Sequence, residues 1–264
     1  MRRKMIAGNW KMHGTKEFTK KFISDLETWL DSEETGIKVS EAIEDKEMEV
    51  VIAPPFTALD CAVFSRITGK IRIAAQNAYH ERKGAFTGEI SFPMLEELRC
   101  KYVIIGHSER RHIFGESNKI LEKKLIAALE SHILPIFCVG ELLSERESGN
   151  MEKVLAEQLS SAWWSLTSDV VAEMVVIAYE PVWAIGTGKT ASSEDADDAC
   201  DYIRSLAFDK FGAATSDSIR ILYGGSVKPE NSRDLLSREN IDGLLIGGAS
   251  LEVSSFKKII ESAL

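Results

Sequence analysis

Tyr102-Val103-Ile104-Ile105 is followed by the polar run Gly106-His107-Ser108-Glu109-Arg110-Arg111. Leu121, Leu125, Ala128 and Leu129 then recur at helical spacing, and Leu134-Pro135-Ile136-Phe137-Cys138-Val139 comes next. Apolar runs without polar alternation are what a parallel strand buried on both faces requires. The stripe between the two runs has the spacing of a helix that lays one face on such a sheet. The stretch is one strand–helix–strand unit, and the pattern continues in both directions. On the N-terminal side lie Met5-Ile6-Ala7, Glu49-Val50-Val51-Ile52-Ala53 and Ile71-Arg72-Ile73-Ala74. On the C-terminal side lie Val175-Val176-Ile177-Ala178-Tyr179, Ile219-Arg220-Ile221-Leu222-Tyr223 and Gly243-Leu244-Leu245-Ile246. Helical stripes fall between them: Phe18, Phe22, Leu26, Trp29 and Leu30; Met151, Val154, Leu155, Leu159, Ala162 and Trp163; and Ala196, Ala199, Ile203 and Leu206 behind a Ser192 or Ser193 cap. Phe256, Ile259, Ile260 and Ala263 close the chain.

Eight repeats with no Pro/Gly/Ser-rich linker predict one α/β domain over residues 1–264. A closed (β/α)8 barrel and an open doubly wound sheet both accommodate strand–helix alternation, and eight units with none left over favour the barrel. The polar stretch Asp31–Lys46 shows no apolar pattern of its own and reads as an extended surface loop or frayed helix.

Composition narrows the function. The chain has 264 residues, 44% of them hydrophobic and 28% charged, and 32 basic against 41 acidic side chains give a net charge of −9. That balance gives no support to a nucleic-acid binder, and any anion site in it must be made locally. No stretch approaches the ~18 apolar residues of a membrane span, and the N-terminus lacks the apolar run of a signal peptide. Cys61, Cys100, Cys138 and Cys200 lie far apart with no zinc or disulfide spacing, which suits a reducing cytoplasm.

In a barrel the chemistry sits where strands end. Those positions carry Asn9-Trp10-Lys11, Gln76-Asn77, Gly106-His107-Ser108-Glu109-Arg110-Arg111, Glu180-Pro181-Val182-Trp183-Ala184-Ile185-Gly186-Thr187-Gly188-Lys189-Thr190, Gly224-Gly225-Ser226 and Gly247-Gly248-Ala249-Ser250. Each piece alone has a plain structural reading. Lys11 could be a solvated charge, His107 a helix cap, Glu180 a loop carboxylate, and each glycine pair a tight turn. An amine, an imidazole and a carboxylate all on one rim, beside two glycine pairs, make a catalytic reading stronger than six coincidences. Glycine lets backbone amides approach a phosphate closely, and the loops after strands seven and eight are the usual phosphate site of such a barrel. Gly186 and Gly188 would let the loop after strand six hinge over that ligand. Metal and nucleophile readings fail on spacing: there is no H-E-x-x-H, no G-x-S-x-G and no C-x-x-C. Gly186-Thr187-Gly188-Lys189-Thr190 fails as a P-loop because Trp183 stands where the first glycine must be.

At these residues the sequence resembles the triosephosphate isomerase family, over essentially the whole chain, which makes the expected fold a TIM barrel. The resemblance is carried by Asn9-Trp10-Lys11-Met12, Gly106–Arg111, Ala178–Thr190, Tyr223-Gly224-Gly225-Ser226-Val227 and Gly247-Gly248-Ala249-Ser250-Leu251. It implies interconversion of dihydroxyacetone phosphate and D-glyceraldehyde 3-phosphate through an enediolate, in glycolysis and gluconeogenesis, with no cofactor and no metal. Glu180 matches the general base, His107 the neutral electrophile, Lys11 the substrate-binding cation, and Asn9 the polar wall beside them. Gly186, Ser226, Gly247 and Gly248 match the phosphate clamp, and Pro181–Thr190 the lid. The resemblance also implies a homodimer, in which loop Asn77–Ser91 reaches across and Thr87 inserts near Asn9 and Glu109 of the partner subunit. His13 stands where the family usually has asparagine. Other phosphate-binding barrels share the glycine loops but lack the Lys11, His107 and Glu180 set, and a catalytically dead scaffold would have no physical need for all three.

Overall fold

The structure is a computed structural model that describes residues 2–163, 165–184 and 191–264. Eight parallel strands close into a barrel in sequence order. They are β1 (Lys4–Asn9), β2 (Met48–Ala53), β3 (Ile71–Ala75), β4 (Tyr102–Ile105), β5 (Leu134–Val139), β6 (Val176–Tyr179), β7 (Arg220–Tyr223) and β8 (Gly243–Ile246). Each strand pairs with its sequence neighbour, and closure comes from β1 against β8, with Met5 opposite Gly243 and Gly8 opposite Ile246. The open-sheet alternative is excluded.

The helices lie outside in chain order. They are α1 (Lys16–Ser32), α2 (Glu34–Glu44), α3 (Phe56–Ser65), α4 (Phe92–Glu97), α5 (Ser108–His112), α6 (Asn118–Glu130), α7 (Leu143–Glu147), α8 (Met151–Trp163), α9 (Ser168–Met174), α10 (Ser193–Phe211), α11 (Ala213–Ser218), α12 (Pro229–Leu236) and α13 (Val253–Glu261). Ser192 caps α10, its side chain accepting from the Asp195 N–H, which selects between the two serines the sequence offered.

The near-continuous apolar strands are explained by two cores of opposite parity. Met5, Ala7, Val51, Ala53, Ile104, Ile136, Val176, Ala178, Leu222 and Leu245 fill the barrel interior. Their neighbours Ile6, Val50, Ile52, Val103, Ile105, Ile177 and Ile221 pack outward against the helix stripes. Because side chains alternate along a strand, a polar residue has a place only near the strand ends. At the N-terminal mouth the interior is polar: Glu49 accepts from Tyr102 Oη at 2.6 Å and from Arg220 at 2.6 Å.

One expectation is corrected. Residues 34–44 are neither an extended loop nor a frayed helix but the regular helix α2, burying Gly36, Val39, Ser40, Ala42 and Ile43. The buried positions do follow helical spacing, but two of them are Gly36 and Ser40, so an apolar search misses the face. Gly36 is there for contact: a Cβ on it would lie 1.9 Å from the Trp29 carbonyl oxygen of α1. Val39 and Ile43 then contribute about 1.5–3 kcal/mol each by leaving water. The helix is anchored at its rim by Thr35 to Glu261 at 2.8 Å and by Lys70, which bonds Ser40 and pairs with Glu44 at 3.1 Å.

Candidate active site

The C-terminal mouth of the barrel holds a cavity of about 340 Å³ lined by Asn9, Lys11, His107, Glu180, Gly224, Gly225, Ser226, Val227, Lys228, Leu245, Gly247, Gly248 and Ala249. A larger cavity of about 660 Å³ opens at the N-terminal mouth. Its central polar groups, Glu49, Arg3, Arg220 and Tyr102, are spent on one another. The smaller cavity is the one with reactive groups facing space.

Lys11 leaves β1 in a left-handed conformation, φ 50°, which costs a non-glycine residue of order 1 kcal/mol and persists only when neighbours hold it. Asn9 Oδ1 accepts from the Lys11 N–H at 3.0 Å, and Gln76 Nε2 donates to Lys11 O and Ala53 O, both at 2.8 Å. The ammonium reaches over the cavity to Glu109 Oε1 at 2.7 Å.

His107 follows β4 and is both things the sequence allowed. It is the N-cap of α5, where Nδ1 accepts the Glu109 N–H at 3.2 Å, and its Nε2 points into the cavity at Glu180 Oε1, 2.9 Å away. With Nδ1 used as an acceptor, the single ring proton sits on Nε2 and is directed at the ligand space. Glu180, 2% exposed at the end of β6, also accepts the Ser108 N–H at 2.8 Å through Oε2. Burial pushes the Glu180 carboxyl up, but the imidazole, the Ser108 N–H and the Lys11 ammonium outweigh it and hold the group below its ordinary value. Burial likewise pushes His107 down, and the Glu180 carboxylate, with help from Glu109, more than reverses that. If Glu180 turns toward a ligand, the strongest influence raising the ring is withdrawn while burial still pushes it down.

Of the glycine pairs, Gly224 is the one where a side chain would press on the reacting groups: a Cβ there would meet Glu180 Cγ at 2.9 Å, whereas one on Gly247 would only touch Lys11 Cε at 3.5 Å and one on Gly248 would stand in open space. Ser226 is fixed from below by Asn231 Nδ2, which donates to its carbonyl at 3.0 Å. Gly248 opens a short 3-10 turn, Gly248–Ser250, anchored by the Trp10 indole donating to Ser250 O at 3.1 Å.

The described part of the loop after β6 ends in the 3-10 turn Val182–Ala184. Its Trp183 Nε1 donates at 2.9 Å to Glu141, a fully buried carboxylate that also accepts from Tyr179 Oη at 3.1 Å. Gly186, with the rest of Ile185–Thr190, lies outside the described residues. Among the described residues no three His, Cys, Asp or Glu side chains gather as metal ligands, and no helix is long and apolar enough to cross a membrane.

The structure thus brings Asn9, Lys11, His107, Glu180, Ser226, Gly247 and Gly248 to one cavity. Thr87 is elsewhere, on an exposed loop whose Phe86 ring rests on Tyr79 at 4.6 Å. Residue-type searching overlooked Gln76 as the clamp on Lys11, the Ser108 N–H, Gly224 under the carboxylate, and Lys228 at the rim. Gln76 and Gly224 directly follow β3 and β7, Ser108 opens α5 and Lys228 caps α12, so position in the loops after the strands was the available signal.

The family model described as triosephosphate isomerase matches residues 4–263. The chain belongs to the triosephosphate isomerase family. It is 47% identical over 260 residues to the triosephosphate isomerase of Finegoldia magna, with 98% of each chain covered. The enzyme of Dictyoglomus turgidum is 46% identical over 262 residues, covering 99% of this chain and all of the relative. That of Aquifex aeolicus is 45% identical over 260 residues, covering 98% and 99%. Membership in the triosephosphate isomerase family accounts for the closed barrel and for a site built at its C-terminal mouth.

Proposed function

We propose that the protein is an aldose–ketose isomerase that interconverts dihydroxyacetone phosphate and D-glyceraldehyde 3-phosphate, in glycolysis and gluconeogenesis, and that Glu180, His107, Lys11 and Asn9 carry the reaction. The observation that supports it most is the convergence of a buried carboxylate, a neutral Nε2–H and an ammonium on one small cavity. A proton beside a carbonyl is weakly acidic, so its removal needs a positioned base and charge stabilisation where the oxyanion forms. Glu180 leaves the Ser108 N–H and takes the proton from the carbon next to the carbonyl. The His107 Nε2–H and the Lys11 ammonium face the oxygen on which negative charge grows, with Asn9 completing that wall. His107 hands its proton to one enediolate oxygen and recovers one from the other, and Glu180 returns a proton to the neighbouring carbon. No cofactor enters the sequence.

The phosphate lies against the amides of Ser226, Gly247, Gly248 and Gly186, with Pro181–Thr190 closing over it to keep water from the enediolate. A coupled assay tests the reading: glyceraldehyde 3-phosphate must turn over at neutral pH without added metal, and absence of turnover overturns it.

The enzyme acts as a homodimer in the cytoplasm, and residues 1–264 form one domain. Support for the dimer is the protruding loop 77–91, where Thr87 is exposed and Phe86 is 40% exposed, together with Met12 at 94%. Large apolar side chains left in water beside a long loop are the kind of surface that association would cover. Thr87 then lies near Asn9 and Glu109 of the partner subunit. Sedimentation equilibrium should give twice the chain mass, and a fully active monomer at micromolar concentration would contradict it. All four cysteines are free and buried, as a reducing compartment allows.

A further inference from the structure

The cavity presents an electrostatic problem for a dianion. The chain carries a net charge of −9. At the site the Lys11 ammonium is matched by Glu109 at 2.7 Å, and Glu180 adds a second carboxylate at the back wall. Two carboxylates, Glu109 and Glu180, thus stand beside the Lys11 ammonium, and its charge is largely engaged before a phosphate ester arrives at the mouth.

We propose that Lys228 is the capture cation of this site, drawing the phosphate end of the substrate to the rim. This rests on the reading of the cavity as a triose-phosphate site. Lys228 lines the cavity beside Ser226 and Val227 and is exposed. Among the described residues its ammonium has no carboxylate within ion-pair distance, so its charge is not spent inside the protein. Its backbone is held firmly: the Lys228 N–H donates to Asn231 Oδ1 at 2.8 Å, and Pro229 opens α12 directly after it. The same Asn231 side chain donates to Ser226 O at 3.0 Å. One residue therefore ties the rim lysine to the loop whose amides receive the phosphate, and fixes the lysine at the phosphate end of the pocket rather than the carbonyl end.

The two lysines divide the work by their surroundings. Lys11 is pinned by Asn9, Gln76 and Glu109, so its charge is placed on the reacting oxygen. Lys228 sits on a free stem at the mouth, where a charge raises the local concentration of an oppositely charged ligand and its rate of entry without touching the chemical step. It brings the rim to neutrality, leaving the phosphate-facing amides as the net attraction.

The test is steady-state kinetics of the full-length wild type, Lys228→Gln, Lys228→Glu and Lys228→Arg over a range of ionic strength. At low salt Lys228→Gln should lose about fivefold in kcat/KM, with kcat held and the salt dependence flattened, because one unit charge near a dianion is removed in a screened, high-dielectric setting. Lys228→Glu should lose more, and Lys228→Arg should restore the wild-type value and salt slope. Calorimetric titration with inorganic phosphate reads the same residue without turnover and should show weaker binding to Lys228→Gln. If wild type binds phosphate in a Lys228-dependent way but does not isomerise triose phosphate, the functional reading fails and the capture site stands. If Lys228→Gln keeps the wild-type kcat/KM, salt slope and phosphate affinity, or loses kcat in parallel, the proposal is wrong.

Discussion

Replacing Gly224 by alanine separates the position of the base from the stability of the barrel. The added methyl carbon would lie 2.9 Å from Glu180 Cγ, 3.3 Å from the Tyr179 carbonyl oxygen and 3.7 Å from Leu245 Cβ. Ordinary carbon–carbon contact begins near 3.5 Å, so something must move by a sizeable fraction of an ångström. The Tyr179 carbonyl cannot, because it accepts the Gly224 N–H at 2.7 Å between two barrel strands. The Glu180 side chain is the part that can give, and it moves away from Gly224. Displacing a reacting group by about 1 Å costs on the order of 10²-fold in rate. Gly224→Ala should therefore lower kcat roughly 10- to 100-fold, with KM changed far less. The overpacking itself should cost only about 1–3 kcal/mol of stability, leaving a folded protein. A coupled isomerase assay and a urea titration give the two numbers. A stable variant with kcat within a factor of about two of wild type would refute the claim that the position of Glu180 limits catalysis.

Other consequences can be measured separately. Because the Glu180 carboxylate is the largest influence lifting His107 against the effect of burial, Glu180→Gln should lower the pKa of the imidazole, as read by nitrogen NMR; an unchanged value would mean the pairing is not the cause. Gly36→Ala places a carbon 1.9 Å from a main-chain oxygen that no rotamer change relieves, so it should cost at least ~2–3 kcal/mol by urea denaturation, whereas a neutral result would place α2 differently. Arg220→Met leaves the buried Glu49 carboxylate with only Arg3 and Tyr102 as partners and should cost about 1–3 kcal/mol at pH 7. Burial raises the Glu49 carboxyl, but Arg220, Tyr102 and Arg3 hold it lower overall. Its contribution is thus present above the unfolded carboxylate value of ~4.3 and lost as pH falls through the folded one, so the gap between variant and wild type should narrow in acid.

Most of the fold was legible because parallel strands buried on two faces leave an unambiguous mark. Ile104 turns inward while Val103 and Ile105 turn outward, and both environments demand the same residue types. Helix α2 left no such mark, since its closest contact is made by the absence of a side chain at Gly36. Sequence could place Lys11, His107 and Glu180 at strand ends because the architecture dictates where chemistry goes. It could not show that Gln76 and Asn9 hold Lys11 in a left-handed conformation, since the Gln76 bond joins the ends of β1 and β3, 65 residues apart, and the Asn9 bond depends on the local backbone turn. Nor could it show that His107 is cap and cavity group at once, because that depends on which ring nitrogen meets the Glu109 N–H. Net charge misled about the ligand: Glu194 and Asp198 are exposed on α10 and do not line the cavity they were averaged with.

The central claim is that Glu180 is the base, and one rate constant tests it most directly. Glu180→Ala removes a carboxylate whose contacts are His107 Nε2 and the Ser108 N–H, neither of which the barrel needs for closure. With circular dichroism unchanged, kcat for glyceraldehyde 3-phosphate should fall by about 10²–10⁴-fold or more. A folded Glu180→Ala protein that isomerises at near-native rate would contradict the account.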